Sequence, residues 1–414
     1  MTTRIVNKKG YKYLLWTVFL LIIQRVLVQW INPLGLLLAL IALWVFVLHI
    51  ISGATFYSIK NIDRDCRPLM VLLIIWSLYV MLRGVISEGI PSFSDIAKYF
   101  TSAKDIMPYL MPFIALYAYH RIDFRSFVKI SRWLSIIFII YAIISYKKLL
   151  VLNAIGINHF AGNGMGEYTT ELFEFYILLT SFIAPVVLFL LRGFISKKEW
   201  KYAVINISIA FLVGIIAGRR SSSFVYGLVF VASYFLLFRK KKNATINIIL
   251  LIIASSFLMY ELGLLDFFIA KFDNDSRSGV VENFVADMDS TSWIIGRGAM
   301  GTYYDPGFVS DDFSGDRNEI ETGYLNFILK GGIIYLILYV CVLLIAFYKG
   351  FFRTNNAFTK AFACMCLISC IELIPYGVQC LNFKYIALWL GVGLCLNRNV
   401  RHMTNAEIKE LFLL

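Results

Sequence analysis

The 414-residue sequence predicts an all-α fold: a polytopic transmembrane helix bundle of about twelve helices (range 10–13), one integral membrane domain over 1–414, capped by a large outer loop. Three observations predict it. The first is composition: 59% of residues are apolar and only 16% charged, at a mean hydropathy of +0.74. Soluble domains carry about 45–50% and roughly 25%. The second is spacing, because the apolar residues gather into stretches near the ~20 residues that cross a ~30 Å hydrocarbon core. The third is the segregation of Lys and Arg to alternate connections. The same composition excludes a soluble multidomain protein, a disordered chain, a fibrous repeat and a disulfide scaffold.

In chain order the stretches run 14–31, 34–52, 68–86, 106–119, 133–150, 172–191, 203–218, 224–238, 244–265, 323–348, 361–378 and 381–396. None shows strand-length alternation. In lipid every backbone polar group needs an internal partner, so each is read as a helix. The first starts inside the chain and has no small-residue cleavage site, so it is read as a retained helix rather than a signal peptide. The fourth and eighth are short, which sets the uncertainty in the count.

With the N-terminus taken as cytoplasmic, the inner segments hold 25 of the 39 Lys and Arg and the outer segments nine. Every inner segment is basic, including Lys60, Arg64 and Arg67, then Arg121 to Arg132, and Arg239 to Lys242. The net charge of +13 is therefore a topology signal and not a nucleic-acid footprint. Both termini are expected in the cytoplasm. Two long outer segments result, 151–171 without any Lys or Arg, and 266–322 with twelve acids against four bases. A connection as long as the second is usually functional or disordered. Its aromatics and glycines, Trp293, Tyr303, Tyr304, Phe308, Gly296, Gly298 and Gly301, favour an ordered cap with some helix.

The seven cysteines avoid both long outer segments, so no disulfide-stapled ectodomain is expected. Cys366 and Cys370 are read as small buried packing residues. His49, His120, His159 and His402 are too scattered for a metal site, and no zinc spacing is present. No phosphate-binding loop, dinucleotide fingerprint or nucleophile elbow occurs, so no cofactor is expected.

Two segments carry chemistry. G-R-R-S-S-S, Gly218 to Ser223, is a short turn between the seventh and eighth stretches on the outer side. Arg219 and Arg220 are adjacent cations on the face where interfacial anchors are not expected. Arginine binds phosphate bidentately, and hydroxyls at a helix start add donors. Snorkelling anchors are the plain alternative. Arg83, near the outer end of the third stretch, could join them. The second segment, Arg317 to Gly332, reads R-N-E-I-E-T-G-Y-L-N-F-I-L-K-G-G. Glu319 and Glu321 precede a helix, where an acid also suits the N-terminus. Lys330 lies about two turns into the same apolar stretch, where a charge normally faces the protein interior or a wet cavity. Glu372, deep in the eleventh stretch, could pair with it.

At this point the chain resembles the bacterial O-antigen polymerases, repeat-unit polysaccharide polymerases related to O-antigen ligases. Three features carry the resemblance: the arginine-containing turn A-G-R-R-S-S-S, the Gly-rich element I-I-G-R-G-A-M-G-T-Y-Y in a long outer loop, and the polar lead into E-T-G-Y-L-N-F-I-L-K-G-G-I-I-Y-L. The motifs cover about 60 residues and the topology the whole chain. The ligase branch has a histidine roughly where Glu321 stands, which points to polymerase over ligase and leaves the base unassigned.

The resemblance implies a metal-independent membrane glycosyltransferase of the bacterial inner membrane. It would polymerise undecaprenyl-pyrophosphate-linked oligosaccharides into O-antigen or into capsular or exopolysaccharide on the periplasmic face. Donor and acceptor would both be lipid-linked glycans, with membrane lipid, a chain-length regulator and a flippase as further partners. In that scheme Arg219 and Arg220 stabilise the departing pyrophosphate, while Glu321 or Glu319 serves as general base. Arg83, Arg297, Arg317 and Lys330 contribute to substrate binding. Two rivals stay open. A flippase would share the helix count but not the lopsided outer loop, and a scaffold or receptor would not need paired outer arginines.

Overall fold

The computed structural model describes residues 9–28, 32–87, 107–144, 187–216, 220–234, 236, 278–310, 313–320, 322–374 and 382–412. Most of the described residues are helical. In chain order the elements are α1 (Lys9–Val28), α2 (Asn32–Gly53), α3 (Arg67–Ser87), α4 (Met107–Leu110), α5 (Phe124–Ile144), α6 (Val187–Leu190), α7 (Lys197–Ile216) and α8 (Arg220–Ser233). There follow α9 (Ser278–Asp287), α10 (Ser290–Ile295), β1 (Tyr303–Ser310), β2 (Phe313–Arg317), α11 (Gly323–Phe352), α12 (Ala357–Glu372), α13 (Phe383–Leu396), α14 (Arg398–His402) and α15 (Asn405–Phe412).

The expected twelve membrane-crossing helices are not what the described residues show. Three runs are long and apolar enough to cross a membrane: Leu37–Phe56, Arg64–Gly84 and Gly323–Phe352. The fourth apolar stretch is no span. It forms the four-residue α4, then 3₁₀ turns Met111–Leu116 and Tyr119–Arg121. Pro108 and Pro112 remove two backbone donors within five residues, which a continuous helix does not tolerate. Helices α8 and α13 have 14 residues each, about 21 Å. Helices α1, α5 and α7 have 20, 21 and 20 residues and border residues outside the described set. The stretch at 244–265 and the loop 151–171 lie outside it altogether.

The chain forms two compact units, residues 1–126 with 276–413, and residues 127–275 with 414. In the second unit, α7 opens with a reciprocal cap: Ser196 N donates to Glu199 and Glu199 N donates to Ser196 Oγ, both at 3.2 Å. Trp200 donates to Phe189 O at 3.0 Å and stacks on its ring. Phe230 of α8 meets Phe189 and Phe211 edge-on, joining α8 to α6 and α7.

In the first unit, α1 and α2 pack along their length. His49 links them through hydrogen bonds to Gly10 O and Tyr57 OH, both 2.7 Å. Helices α11, α12 and α13 form a three-helix core around Tyr339, Phe362 and Trp389, all buried. At its basic end Asp63 is the common acceptor for Lys349 at the end of α11, Arg401 of α14 and the Arg398 N–H. One carboxylate thus ties α11 and α14 to the start of α3.

The segment 266–322 is ordered over its described part. It contains α9, α10 and a two-stranded β-hairpin; among the described residues the other β pairing is a single antiparallel bridge between Tyr57 and Tyr117. The hairpin pairs Tyr303 with Arg317 and Ser310 with Phe313. A small core of Phe284, Met288, Tyr303, Ile320, Leu325, Ile328 and Leu329 fastens it to the first turns of α11.

Candidate functional site

The site is built around a break in α11. The Gly331–Gly332 pair interrupts the helix, and Gly332 adopts φ 71°, ψ 179°, a region open essentially to glycine alone. A helix stopped there leaves carbonyls without internal donors. The Gly-rich loop Gly296–Gly301 supplies them. Arg297 N donates to Leu329 O at 2.7 Å and Gly298 N to Lys330 O at 2.9 Å. Trp76 Nε1 of α3 donates to Gly331 O at 2.7 Å. On its other side the loop reaches α3, where Ala299 N donates to Val80 O at 2.9 Å. The loop is therefore a wedge between α3 and the broken helix. Contact is backbone to backbone: a side chain at Gly84 would meet Ala299 and Met300, and one at Gly298 would meet Arg83 and Gly84.

The candidate residues of the first unit gather around this wedge. Lys330, 6% exposed, donates through Nζ to Gly301 O at 2.9 Å. Arg297 turns its guanidinium away from the helix break. It pairs with Asp287 at the end of α9 and donates to Thr302 O at 2.7 Å. Arg317 pairs with Asp305 at 2.8 Å. Asp305 is 3% exposed and also accepts from Asn283 at 2.8 Å and Gly307 N at 3.1 Å. Burial pushes the Asp305 carboxyl up, but those donors and the Arg317 charge outweigh it and hold the group below the usual carboxylate range. Glu319 is half-buried on the segment between the hairpin and α11, next to Ile320, whose N–H donates to Asn326 Oδ1 at 3.4 Å.

Arg83 differs from these cations. It emerges beside the wedge, donates through Nη1 to Tyr79 OH at 2.7 Å, and has no carboxylate partner among the described residues. Tyr79 lies against Trp76, with ring centroids 5.0 Å apart. Trp76, Tyr79 and Arg83 thus make one stripe on α3, from the broken helix to a half-exposed guanidinium. Sequence reasoning missed the two aromatics; their i, i+3, i+7 spacing with Arg83 was the available signal.

Arg219 and Glu321 lie outside the described residues. Arg220 is the first residue of α8, in the other compact unit. The expected pairing of Lys330 with Glu372 does not form: Glu372 pairs with Lys384 of α13, because the wedge already offers Lys330 the Gly301 carbonyl. Among the described residues no group of His, Cys, Asp and Glu could hold a metal ion. No protein-family model, curated protein or solved structure matches the chain.

Proposed function

We propose that the chain polymerises undecaprenyl-pyrophosphate-linked oligosaccharide repeat units on the periplasmic face of the bacterial inner membrane, with both termini in the cytoplasm. The observation that best supports this reading is the wedge. An acidic, aromatic segment is fastened to the ends of two apolar helices, with Arg83, Lys330 and Glu319 around it. Such a cap offers aromatic faces and carboxylates to a glycan beside a bundle that takes the lipid tail.

In the proposed reaction an acceptor hydroxyl attacks the anomeric carbon of the donor. The bond from that carbon to the pyrophosphate oxygen breaks, and the lipid pyrophosphate departs with the electron pair. Arg219 and Arg220 are the candidates for stabilising it. Fixed charges aimed at developing charge act strongly in a water-poor site. Arg297 and Arg317 suit architecture better than pyrophosphate binding, since Asp287 and Asp305 already balance them. Glu321 or Glu319 would accept the hydroxyl proton, a contribution of roughly 10²–10⁴-fold.

Cells lacking the chain provide the test. The polymerase reading expects their glycan ladder to collapse to single repeat units held on the outer leaflet. An unchanged ladder overturns it. Accumulation on the inner leaflet would instead favour a flippase, the second reading, which the broken helix and buried Lys330 suit because transporters place discontinuous helices at their substrate sites.

A further inference from the structure

A cavity of about 340 Å³ opens beside the last turns of α2. On that helix its wall is Phe46, His49 and Ile50, which share one face by their i, i+3, i+4 spacing. Leu14 of α1 and Met111 and Ile114 of the 3₁₀ turn Met111–Leu116 supply the buried part of the lining. Ile50 is 49% exposed and stands at the margin. The polar atoms of the wall are engaged, since the two ring nitrogens of His49 bond to Gly10 O and Tyr57 OH, both at 2.7 Å. The cavity therefore presents hydrocarbon. It is more than twice the size of an apolar cavity of about 150 Å³ that holds benzene, and it falls in the roughly 300–1,000 Å³ range of ligand sites. Backbone bonds tether its two sides: Ser58 N donates to Leu116 O at 3.1 Å and Ala118 N to Phe56 O at 3.0 Å.

Depth and charge select the occupant. Phe46 to Ala54 fall in the second half of the apolar run Leu37–Phe56, so in a membrane the cavity lies within one leaflet. Its margin is flanked by Val47 and Ile51, both exposed, and meets lipid chains. Beyond that end of the run the side chains are cationic. Lys60 is exposed three residues after Tyr57, and the Arg121 guanidinium lies 4.5 Å over the Phe56 ring. The bond from His49 to Gly10 O brings the start of α1, with exposed Lys9, to the same end. Acids nearby are matched already: Asp123 pairs with Lys12, Asp63 with Lys349 and Arg401, and Asp65 with Lys349. We propose that the cavity holds one acyl chain of an anionic phospholipid, with its phosphate on the rim formed by Lys9, Lys60 and Arg121. Basic pockets between membrane helices take anionic headgroups in this way. A neutral lipid fills the slot without using the rim, and a water-soluble anion uses the rim without filling the slot.

The full chain in detergent is titrated with phosphatidylglycerol and, separately, with phosphatidylcholine, and bound lipid is counted by native mass spectrometry. The expected result is one saturable phosphatidylglycerol per chain and weaker binding of phosphatidylcholine. Ala54→Trp and Ile50→Trp fill the cavity from its margin, where both native side chains are exposed. Each should weaken phosphatidylglycerol binding at least about tenfold, with an unchanged thermal midpoint in the absence of lipid. Lys9→Gln and Lys60→Gln alter only the rim. Each should weaken phosphatidylglycerol binding about fivefold and leave phosphatidylcholine binding as it was. Wild-type binding in a folded Trp variant overturns the cavity as the site, and either Trp variant decides if the other does not fold. Equal affinity of the wild type for the two lipids overturns the anionic headgroup, as does wild-type binding in both lysine variants, which sit at exposed positions and test the rim without disturbing the cavity.

Discussion

Gly332→Ala tests the wedge directly. An alanine there would hold its backbone in a region that costs about 1–3 kcal/mol, and its Cβ would run into the Ile294 carbonyl. One way out is for α11 to straighten and satisfy its own carbonyls. The loss then falls on the loop, which forfeits the bonds from Arg297 N to Leu329 O and from Gly298 N to Lys330 O. Trp76 forfeits its bond to Gly331 O as well. At about 0.5–1.5 kcal/mol each, these three come to about 1.5–4.5 kcal/mol. The assay is hydrogen exchange at the Arg297 and Gly298 amides. A local opening made about 3 kcal/mol easier accelerates exchange more than about 100-fold. Gly331→Ala is the comparison: its Cβ would press on the buried Tyr335 side chain, but Gly331 does not hold the positive φ. It therefore disturbs packing without straightening the helix, and the loop amides should exchange more slowly than in Gly332→Ala. Unchanged exchange in Gly332→Ala, or equal acceleration in both variants, refutes the wedge.

The other predictions address separate parts of the chain. Asp63→Asn leaves Lys349 and Arg401 without their shared carboxylate and should destabilise the first unit by about 3–5 kcal/mol; an unchanged thermal midpoint in detergent refutes that. Arg219→Lys with Arg220→Lys keeps both charges but loses the bidentate forks, so polymer formation should fall strongly at normal protein level, and normal polymer removes the pair from the mechanism. Asp305 is held below its ordinary value of 3.8, so its contribution to the hairpin is complete above that pH and is lost as pH falls through the lower folded value. Hairpin amides should therefore exchange faster only in acid, and Asp305→Asn should flatten that dependence. A reporter fused at residue 290 should read outside the cytoplasm, and a cytoplasmic signal there ends the outer-cap assignment.

Parts of this architecture were legible in the sequence, each for a physical reason. Hydropathy marks apolar runs whatever their tertiary context, so the stretches at 34–52, 68–86 and 323–348 overlap the three described spans. It is blind to backbone donors, so the fourth stretch looked helical although Pro108 and Pro112 break it. The hairpin was missed because Pro306 and Gly307 interrupt its first strand and Gly315 its second, which hides the alternation a strand shows; Asp305 and Arg317 meet across the ladder. Lys330 and Glu372 were each visible as charges in apolar surroundings. Their partners, Gly301 O and Lys384, depend on loop docking and helix register, which no local pattern encodes.

The length of α11 accounts for its break. Helix α11 runs 30 residues, about 45 Å at 1.5 Å per residue, half as long again as a ~30 Å core. A straight helix of that length would tilt strongly or project into water. The break at Gly332 divides it into a short buried piece and about 20 residues from Ile333 to Phe352, about 30 Å. Lys330 then stands in the short piece before the break, where the Gly301 carbonyl serves it. The same break exposes the carbonyls on which the Gly-rich loop docks. Span length, the position of Lys330 and the seating of the loop are thus consequences of one glycine, which makes that residue the most sensitive point of the candidate site.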